Sequence, residues 1–240
     1  MDTQPYTRVL LKLSGEQLAG KFESGIDAEF SAWLANEVKK VIDSGTQVVI
    51  MVGGGNYARG VQLVGHGIQR VTADNIGMLA TMMNGLALSD IFNNAGVSAR
   101  VVSTIKADQI ADQFTHRRSE SHLKKGRVVI VAGGIGRPYL TTDTAAVSLA
   151  LELDCQVVLK ATKVDGVYDK DPTQFPEATK IDYMTFQQAV VDDNIKVMDK
   201  AAMGLALEHN LPIIVFNANI TNNIRQAVLK QAIGTTIGAS

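Results

Sequence analysis

The sequence predicts an α/β fold, organised as a three-layer αβα sandwich around a mostly parallel central sheet. Short apolar runs rich in β-branched residues alternate with segments whose apolar residues recur at helical spacing, and this alternation is typical of βαβ units. Two of the apolar runs pass directly into glycine-rich segments, at Gly53–Gly55 and at Gly133–Gly136. A run that is apolar at every position is typical of a strand buried on both faces, as in a parallel sheet.

Composition argues against several classes of protein. The net charge of −1 and the lack of a long Lys/Arg block argue against a nucleic-acid-binding surface. The single cysteine, Cys155, rules out an intrachain disulfide, and its neighbours Leu153 and Val157 favour a buried structural thiol over a nucleophile. Lys12 interrupts the first apolar run, so no signal peptide is expected, and no segment reaches the roughly 20 apolar residues of a membrane span. We therefore expect a soluble, cytoplasmic protein.

Local patterns predict the elements of the first half of the chain. The expected strands are Arg8–Leu13 and Val48–Val52, the expected helices are Ala28–Asp43 and Val71–Asn94, and the expected loops are Ala19–Gly25 and Gly60–Gly67. Asp27 is expected to cap the first helix, and Ser44-Gly45 to end it. The apolar stripe of the second helix indicates core or interface packing and comprises Met78, Leu79, Met82, Met83 and Leu86.

The second half continues the alternation. The predicted strands are Ala99–Ser103, Arg127–Ala132, Gln156–Lys160 and Pro212–Phe216, and the predicted helices are Thr144–Leu153, Thr185–Asp192, Lys196–His209 and Asn222–Gln231. Polar or exposed loops are expected at Ala161–Asp171 and Pro172–Thr179. The four histidines share no metal-ligand spacing, so the sequence predicts no protein-held metal site.

Three charged residues have two interpretations each. Lys12 lies inside an apolar strand, so it either reaches solvent from the strand end or points across the carboxyl end of the sheet at a phosphate. Asp143 either caps the helix that follows it or orients nearby cations. Asp74 either complements the dipole of the long helix or serves the neighbouring glycine-rich loop.

The lysines and glycines together fit phosphoryl transfer. Lys12, Lys160 and Lys163 lie at or just after predicted strand ends, and Asp143 follows the second glycine-rich segment. Fixed cations and backbone N–H groups neutralise the charge on a transferred phosphoryl group. A phosphate acceptor is already ionised, so the lack of a histidine base does not count against a kinase. Mg²⁺ would bridge the donor phosphates and keep most of its water.

Six segments resemble the bacterial uridylate (UMP) kinase family, within the amino-acid kinase superfamily. They are KLSGE at Lys12–Glu16, GGGNYARG at Gly53–Gly60, DNIGMLATMMNG at Asp74–Gly85, TTDTAA at Thr141–Ala146, KATKVDGVYDKDP at Lys160–Pro172 and KVMDKAA at Lys196–Ala202. The match runs from about Arg8 to Ile237 in the family's order and spacing. The third and fifth segments together separate this family from the acetylglutamate, carbamate and aspartate kinases.

The resemblance implies an enzyme that converts ATP and UMP into ADP and UDP in pyrimidine nucleotide synthesis, with Mg²⁺ bound to the ATP. It implies a single amino-acid kinase domain over residues 1–240, with an acceptor-binding lobe at roughly 1–155 and an ATP-binding lobe at 156–240. It also implies a homohexamer, in a family whose members are often inhibited by UTP and modulated by GTP. Composition predicts a cytoplasmic protein with no nucleic-acid or membrane partner.

The resemblance further assigns site residues. The implied catalytic residues are Lys12, Asp143 and Lys163. The implied ATP site comprises Lys12, Leu13, Ser14, Gly15, Gly55, Arg59, Lys160, Thr162, Tyr168 and Asp171. The implied UMP site comprises Gly54, Asp74, Ile135, Gly136, Arg137, Pro138, Tyr139, Leu140, Thr141 and Thr142. Within these sets, Asp74 is expected at the ribose hydroxyls and Asp143 is expected to orient the lysines.

Two segments depart from the family pattern. Gly134–Pro138 reads GIGRP where GTGNP is common, so Ile135 and Arg137 replace a threonine and an asparagine near the uracil. Glu23-Ser24-Gly25 replaces GFG in the loop tied to the GTP response, which argues against that response.

Two other functions stay open on the sequence. The altered Ile135 and Arg137 are compatible with a non-catalytic nucleotide-binding or storage protein on the same fold. Retention of Lys12, Asp143 and Lys163 favours the enzyme. A dinucleotide-binding dehydrogenase is disfavoured because no GxGxxG follows a strand, and the phosphate-loop pattern GxxxxGK is missing as well.

Overall fold

Strands and helices alternate along the chain, as the sequence predicts. The computed structural model describes residues 4–58, 60–65, 67–170, 172, 174–191 and 197–239. Its strands are β1 Arg8–Leu13, β2 Gln47–Val52, β3 Ala99–Ser103, β4 Asp112–Gln113, β5 Val128–Ala132, β6 Val158–Thr162, β7 Val167–Tyr168, β8 Lys180–Ile181, β9 Tyr183–Thr185, β10 Ile213–Asn217 and β11 Thr235–Gly238. Its helices are α1 Gly15–Leu18, α2 Ala28–Ile42, α3 Gly60–Val64, α4 Arg70–Asn94, α5 His116–Lys124, α6 Thr142–Glu152, α7 Phe186–Val191, α8 Lys200–His209 and α9 Asn223–Val228.

The central sheet has nine strands in the order β4-β3-β5-β2-β1-β6-β10-β11-β9. Neighbouring strands pair in parallel except β10 and β11, which are antiparallel. The pairing of β1 with β2 runs from Arg8 opposite Gln47 to Leu13 opposite Val52. The carboxyl ends of β1, β2, β5 and β6 therefore meet at one edge, where open α/β sheets bind ligands.

Two apolar layers enclose this sheet and complete the three-layer sandwich. Alternate residues of a strand face opposite sides, so Val9 and Leu11 pack with α2, α4 and α9, while Leu10 packs on the other side with α6 and α8. These side chains are almost completely buried. The predicted α/β sandwich with a mostly parallel sheet is confirmed.

Helix α4 shows why the predicted apolar stripe does not form one core face. Met82 is buried, but Leu79 and Met83 are 57% and 49% exposed. The helix comes close to the sheet at Gly85, where a Cβ atom would lie 3.0 Å from the Cβ of Ala132. The predicted stripe therefore divides between a buried side and an outward side, with Leu79 and Met83 on the outward side.

Several boundaries differ from the predicted ones. The predicted loop Gly60–Gly67 contains α3, and the short strands β4, β9 and β11 escaped prediction because strands of two to four residues carry little periodicity. The helix predicted from Lys196 begins at Lys200, after Asp199, while residues 192–196 lie outside the described residues. No helix within the described ranges is long and apolar enough to cross a membrane.

Candidate active site

Two glycine segments touch at the carboxyl ends of β1 and β2. The N–H of Gly53 donates to the carbonyl of Leu13 at 2.8 Å. A Cβ atom on Gly15 would lie 2.6 Å from the backbone nitrogen of Gly55, and one on Gly53 would lie 3.0 Å from the nitrogen of Gly15. The predicted close approach of backbone is therefore present, because only residues without a Cβ fit there.

The turn after β1 is fixed by a capping box on α1. The Ser14 hydroxyl accepts from the N–H of Gln17 at 3.2 Å, and the Gln17 side chain accepts from the N–H of Ser14 at 3.1 Å. This one-turn helix lies in a stretch for which the sequence predicted no helix. The capping box holds Ser14 and Gly15, both predicted to contact ATP, beside the glycine loop.

A buried pair of asparagines supports that loop. The Asn84 amide, on α4, donates to the carbonyl of Gly53 at 2.7 Å and exchanges hydrogen bonds of 2.7 and 2.9 Å with the Asn56 amide. Asn56 also donates to the carbonyl of Gly25 at 2.6 Å. Neither residue was predicted from the sequence, although an asparagine at an inward position of a long helix is the signal that points to such a contact.

Lys12, Asp143 and Lys160 form what we call the lysine cluster. Lys12 Nζ lies 2.6 Å from Asp143 Oδ1, and Lys160 Nζ lies 2.8 Å from Asp143 Oδ2. Lys160 also donates to the carbonyl of Val197. Only 10% of the Lys12 side chain is exposed, so the interpretation in which Lys12 reaches solvent is wrong.

Burial and charge act in opposite directions in this cluster. Burial alone would raise the pKa of Asp143, but Lys12 and Lys160 outweigh it and hold that pKa below the ordinary value. Burial lowers the pKa of Lys160, and the neighbouring Asp143 opposes that decrease. With both lysines protonated, the cluster has one positive charge in excess, which suits an anionic ligand at the strand ends.

Asp143 takes part in this cluster because another residue caps α6. The Thr141 hydroxyl accepts from the N–H groups of Asp143 and Thr144, at 3.0 and 3.3 Å. The N-cap interpretation of Asp143 is therefore wrong, and the alternative in which it orients cations is the one that the geometry supports.

Asp199 joins the starts of α6 and α8. Its carboxylate caps α8 by accepting from the N–H of Ala202 at 3.0 Å, and it accepts from the hydroxyls of Thr141 and Thr144, the latter at 2.9 Å. Asp199 was not predicted as a site residue. An aspartate directly before a helical apolar pattern is a capping signal that would have found it.

A cavity of about 130 Å³ opens between α4 and the segment after β5. Its lining comprises Gly54, Ala58, Ala73, Asp74, Gly77, Met78, Thr81, Gly134, Ile135, Arg137, Leu140 and Thr142. The six lining residues that belong to the predicted UMP site are Gly54, Asp74, Ile135, Arg137, Leu140 and Thr142. The other four predicted residues, Gly136, Pro138, Tyr139 and Thr141, belong to the same segment but do not line the cavity.

Asp74 accepts hydrogen bonds at the rim of this cavity. Arg70 Nε donates to Oδ1 and Oδ2 of Asp74, at 2.9 and 2.8 Å, and the N–H of Tyr139 donates to Oδ2 at 2.8 Å. Helix α4 begins at Arg70, so Asp74 lies beyond its first turn. The interpretation of Asp74 as a first-turn dipole partner is therefore wrong.

The remaining predicted ATP residues lie near the ends of β1, β6 and β7. Leu13 is a core side chain, so only its backbone can face a ligand. The Thr162 hydroxyl bonds to the carbonyls of Val164 and Phe216, at 2.6 and 3.0 Å. The Tyr168 hydroxyl donates to Asp165 at 2.6 Å.

One predicted catalytic residue is not brought into the lysine cluster. Lys163 is exposed and makes no ion pair within the described part of the chain, although it directly follows β6. Arg59 and Asp171 lie outside the described residues.

A larger cleft of about 970 Å³ lies at the opposite end of the sheet. It is lined by residues at or just before the first positions of β1 and β2, such as Thr7, Arg8 and Gln47, and by residues of α5. Ligands of open α/β sheets bind at the carboxyl ends of the strands. The glycine segments and the lysine cluster therefore define the candidate active site, in preference to the larger cleft.

Comparisons with known proteins show what this chain is similar to. The profile of the Amino acid kinase family matches residues 7–217. The structure is similar to that of a UMP kinase from Bacillus anthracis, with a TM-score of 0.93 and 37% identity over 98% of this chain and 97% of that chain. A UMP kinase from Ureaplasma parvum gives a TM-score of 0.90 and 34% identity over 98% of this chain and 100% of the other. A uridylate kinase from Archaeoglobus fulgidus gives a TM-score of 0.73 and 27% identity over 96% of this chain and 99% of the other.

Proposed function

Because the chain belongs to the amino acid kinase family, we propose that it is a UMP kinase, which transfers the γ-phosphoryl group of ATP to UMP and yields ADP and UDP. This reaction supplies UDP for pyrimidine nucleotide synthesis. The observation that carries the proposal is the lysine cluster, in which Lys12 and Lys160 converge on Asp143 at 2.6 and 2.8 Å beside the glycine segments.

The chemistry follows from charge. A phosphate oxygen of UMP attacks the γ-phosphorus while the bond from that phosphorus to the bridging oxygen of ADP breaks, and negative charge spreads over the transferred oxygens. Lys12, Lys163 and the backbone N–H groups of Gly15 and Gly55 would neutralise that charge. Asp143 would hold the ammonium group of Lys12 in place, which lowers the entropy lost on reaching the transition state.

The two substrates are assigned to the two sides of the cluster. The acceptor would occupy the cavity lined by Gly54, Asp74 and Ile135, with the rest of the predicted UMP set around it. ATP would lie along the ends of β1 and β6 and along β7, near Lys160, Thr162 and Tyr168. Support for this division comes from the glycine backbone at the strand ends, which lets phosphates approach closely.

Mg²⁺ fits this site as a companion of ATP and not as an ion held by a protein cage. Within the described ranges, no group of three or more His, Cys, Asp or Glu side chains could hold a metal ion. The buried carboxylate at the site, Asp143, faces two lysines. Mg²⁺ binds nucleotide phosphates while keeping several waters, and when bound it would neutralise donor charge.

Assembly, regulation and location are further parts of the proposal. The exposed Leu79 and Met83 on α4 support burial between subunits, and we propose a homohexamer. We also propose residues 1–155 as the acceptor lobe and 156–240 as the ATP lobe, inhibition by UTP and a cytoplasmic location. Because Glu23-Ser24-Gly25 replaces the usual loop, a GTP response is not part of the proposal.

The test is ADP release from Mg·ATP with UMP, CMP, dUMP or no acceptor. We expect turnover with UMP, and loss of that turnover in Lys12→Met with retained folding. Lys39→Met is the matched control, because Lys39 lies on α2 in an exposed pair with Asp43. A protein that binds ATP or UTP but turns over none of these acceptors would instead be a nucleotide-binding protein.

A further inference from the structure

Helix α4 anchors the segment after β5 at two points. The N–H of Gly133 donates to the hydroxyl of Thr81 at 2.7 Å, and the N–H of Tyr139 donates to Oδ2 of Asp74 at 2.8 Å. Asp74 and Thr81 are seven residues apart, which is about two helical turns, so they lie on one face of α4. The segment that borders the cavity is therefore held at two points by a single face of α4.

Arg70 holds the same carboxylate from the other side. Its Nε contacts both oxygens of Asp74, at 2.8 and 2.9 Å, and its Cζ lies 5.2 Å from the centre of the Tyr139 ring. Arg70 and Tyr139 thus contact each other as well as Asp74. A guanidinium over an aromatic face is attractive, so the three residues restrain one another.

The backbone of Tyr139 is in an unusual conformation. Its φ angle is +68°, in the left-handed region that residues with a Cβ rarely adopt. The hydrogen bond to Asp74 and the ring contact with Arg70 both restrain this residue. Backbone strain of this kind clusters at ligand sites, where it places a group for function.

The donors leave acceptor capacity on one oxygen of Asp74. Among the described residues, Oδ2 receives two donors, from Arg70 and Tyr139, whereas Oδ1 shares only the Arg70 donor. An ionised carboxylate offers about four lone-pair sites, so Oδ1 retains room for a hydroxyl donor. Asp74 lines the cavity, so the acceptor nucleotide is the molecule that would supply that hydroxyl.

We infer that Arg70 and Tyr139 are positioning residues that aim Asp74 at a ribose hydroxyl of the acceptor, and so set a preference for ribonucleotides over deoxyribonucleotides. The inference rests on the proposed function. An ordinary surface pair at this spacing would change stability slightly and substrate preference not at all. Substrate preference therefore separates the two explanations.

The test compares kcat/KM for UMP, 2′-deoxy-UMP and 3′-deoxy-UMP in wild type, Arg70→Gln and Arg70→Lys. Wild type should prefer UMP over at least one deoxy analogue. In Arg70→Gln that preference should fall on the order of tenfold, through slower reaction of UMP, while the KM for ATP is unchanged. The preference of Arg70→Lys should lie between those of wild type and Arg70→Gln, because an ammonium group cannot donate to both carboxylate oxygens as the planar guanidinium does.

Two further variants keep the test decisive. Lys39→Gln is the matched control, because Lys39 forms an i,i+4 pair with Asp43 at the C-terminal end of α2 and its side chain is about as exposed as that of Arg70, 46% against 41%. This variant should leave the preference unchanged. In Tyr139→Asn the backbone N–H remains, and asparagine tolerates positive φ. This variant should therefore keep its fold and lose less of the preference for UMP than Arg70→Gln does.

The outcomes separate the inference from the function. A wild-type protein that is active on UMP but accepts both deoxy analogues equally overturns the inference alone, as does an unchanged preference in Arg70→Gln. A wild-type protein with no activity on UMP overturns both.

Discussion

Lys12 and Asp143 form a buried ion pair, with Nζ and Oδ1 2.6 Å apart, although 131 positions separate them in the sequence. The strand β1 delivers the lysine, and the first turn of α6 delivers the carboxylate. Lys160, on the neighbouring strand β6, shares the same carboxylate. The parallel sheet therefore assembles from distant segments a cation site that none of them forms alone.

Replacing Asp143 should cost more stability than replacing Lys12. Asp143→Asn leaves two buried ammonium groups without a carboxylate and should lower the free energy of unfolding by about 3 kcal/mol, with a large loss of kcat. Lys12→Met leaves Asp143 paired with Lys160, so it should lower the free energy of unfolding by less than Asp143→Asn does. Urea unfolding of both variants checks the order, with the exposed Asp43→Asn as the control. The reverse order would contradict the pairing described.

The stabilisation from Asp143 should depend on pH in one direction. Its pKa in the folded state lies below the ordinary value of 3.8, because the attraction of Lys12 and Lys160 outweighs the effect of burial. Its contribution is therefore fully present above pH 3.8 and is lost as the pH falls through the folded pKa. The stability difference between wild type and Asp143→Asn should stay constant from about pH 7 to pH 5 and shrink below about pH 4. A difference that shrinks between pH 7 and pH 5 would argue against this assignment.

The asparagine pair should matter for both folding and substrate binding. Asn84→Ala leaves the carbonyl of Gly53 and the amide of Asn56 without their partner, at a cost of about 1–3 kcal/mol. Because Gly53 begins the glycine loop, we also expect a raised KM for nucleotide. Urea unfolding and initial rates check both effects. Asn36→Ala is the control, since Asn36 is exposed on α2 and its side chain donates to the carbonyl of Ala32 within the same helix. Equal effects of the two changes would refute the special role of Asn84.

Local patterns in the sequence are enough to predict β1, β2 and α2. Their signals lie within one element, such as the all-apolar run at Val48 or the Asp27 cap, which accepts from the N–H groups of Glu29 and Phe30 at 3.0 and 3.1 Å. The fold class follows from such elements, because their alternation leaves few ways to pack.

Contacts between distant segments could not be predicted in this way. The sequence was compatible with two roles for Asp143, capping a helix and orienting cations. The structure distinguishes them, because it shows that Thr141 is the N-cap of α6. Helical spacing grouped the exposed Leu79 with the buried Met82, because spacing alone does not show which side of α4 packs against the sheet. Arg70 was missed because its role depends on the exact start of α4, and Asn84 because its partners lie on another segment. The N-cap signal of Asp199 is local, but its bonds to Thr141 and Thr144 join two helices and leave no signal in the sequence.

Cys155 should be unreactive in the native protein. It is buried, as the sequence predicts, and burial raises the pKa of its thiol to about 12. At pH 8 the thiolate is then about one part in ten thousand. Iodoacetamide should label the protein in urea but not in buffer, as mass spectrometry would reveal. Rapid labelling of the native protein at pH 8 would show that the thiol is accessible.

Gly15→Ala should disrupt the meeting of the two glycine segments. The added methyl would lie 2.6 Å from the nitrogen of Gly55 and also clash with the Asn56 side chain, and neither backbone can retreat without breaking hydrogen bonds such as that between Gly53 and Leu13. We expect a loss of stability of about 1–3 kcal/mol and a fall in kcat/KM for ATP. Gly204→Ala is the matched control, because a Cβ there has open space within α8 and should stabilise the helix by up to about 1 kcal/mol. If thermal melts and initial rates do not separate the two variants, the segments are not packed backbone against backbone as described.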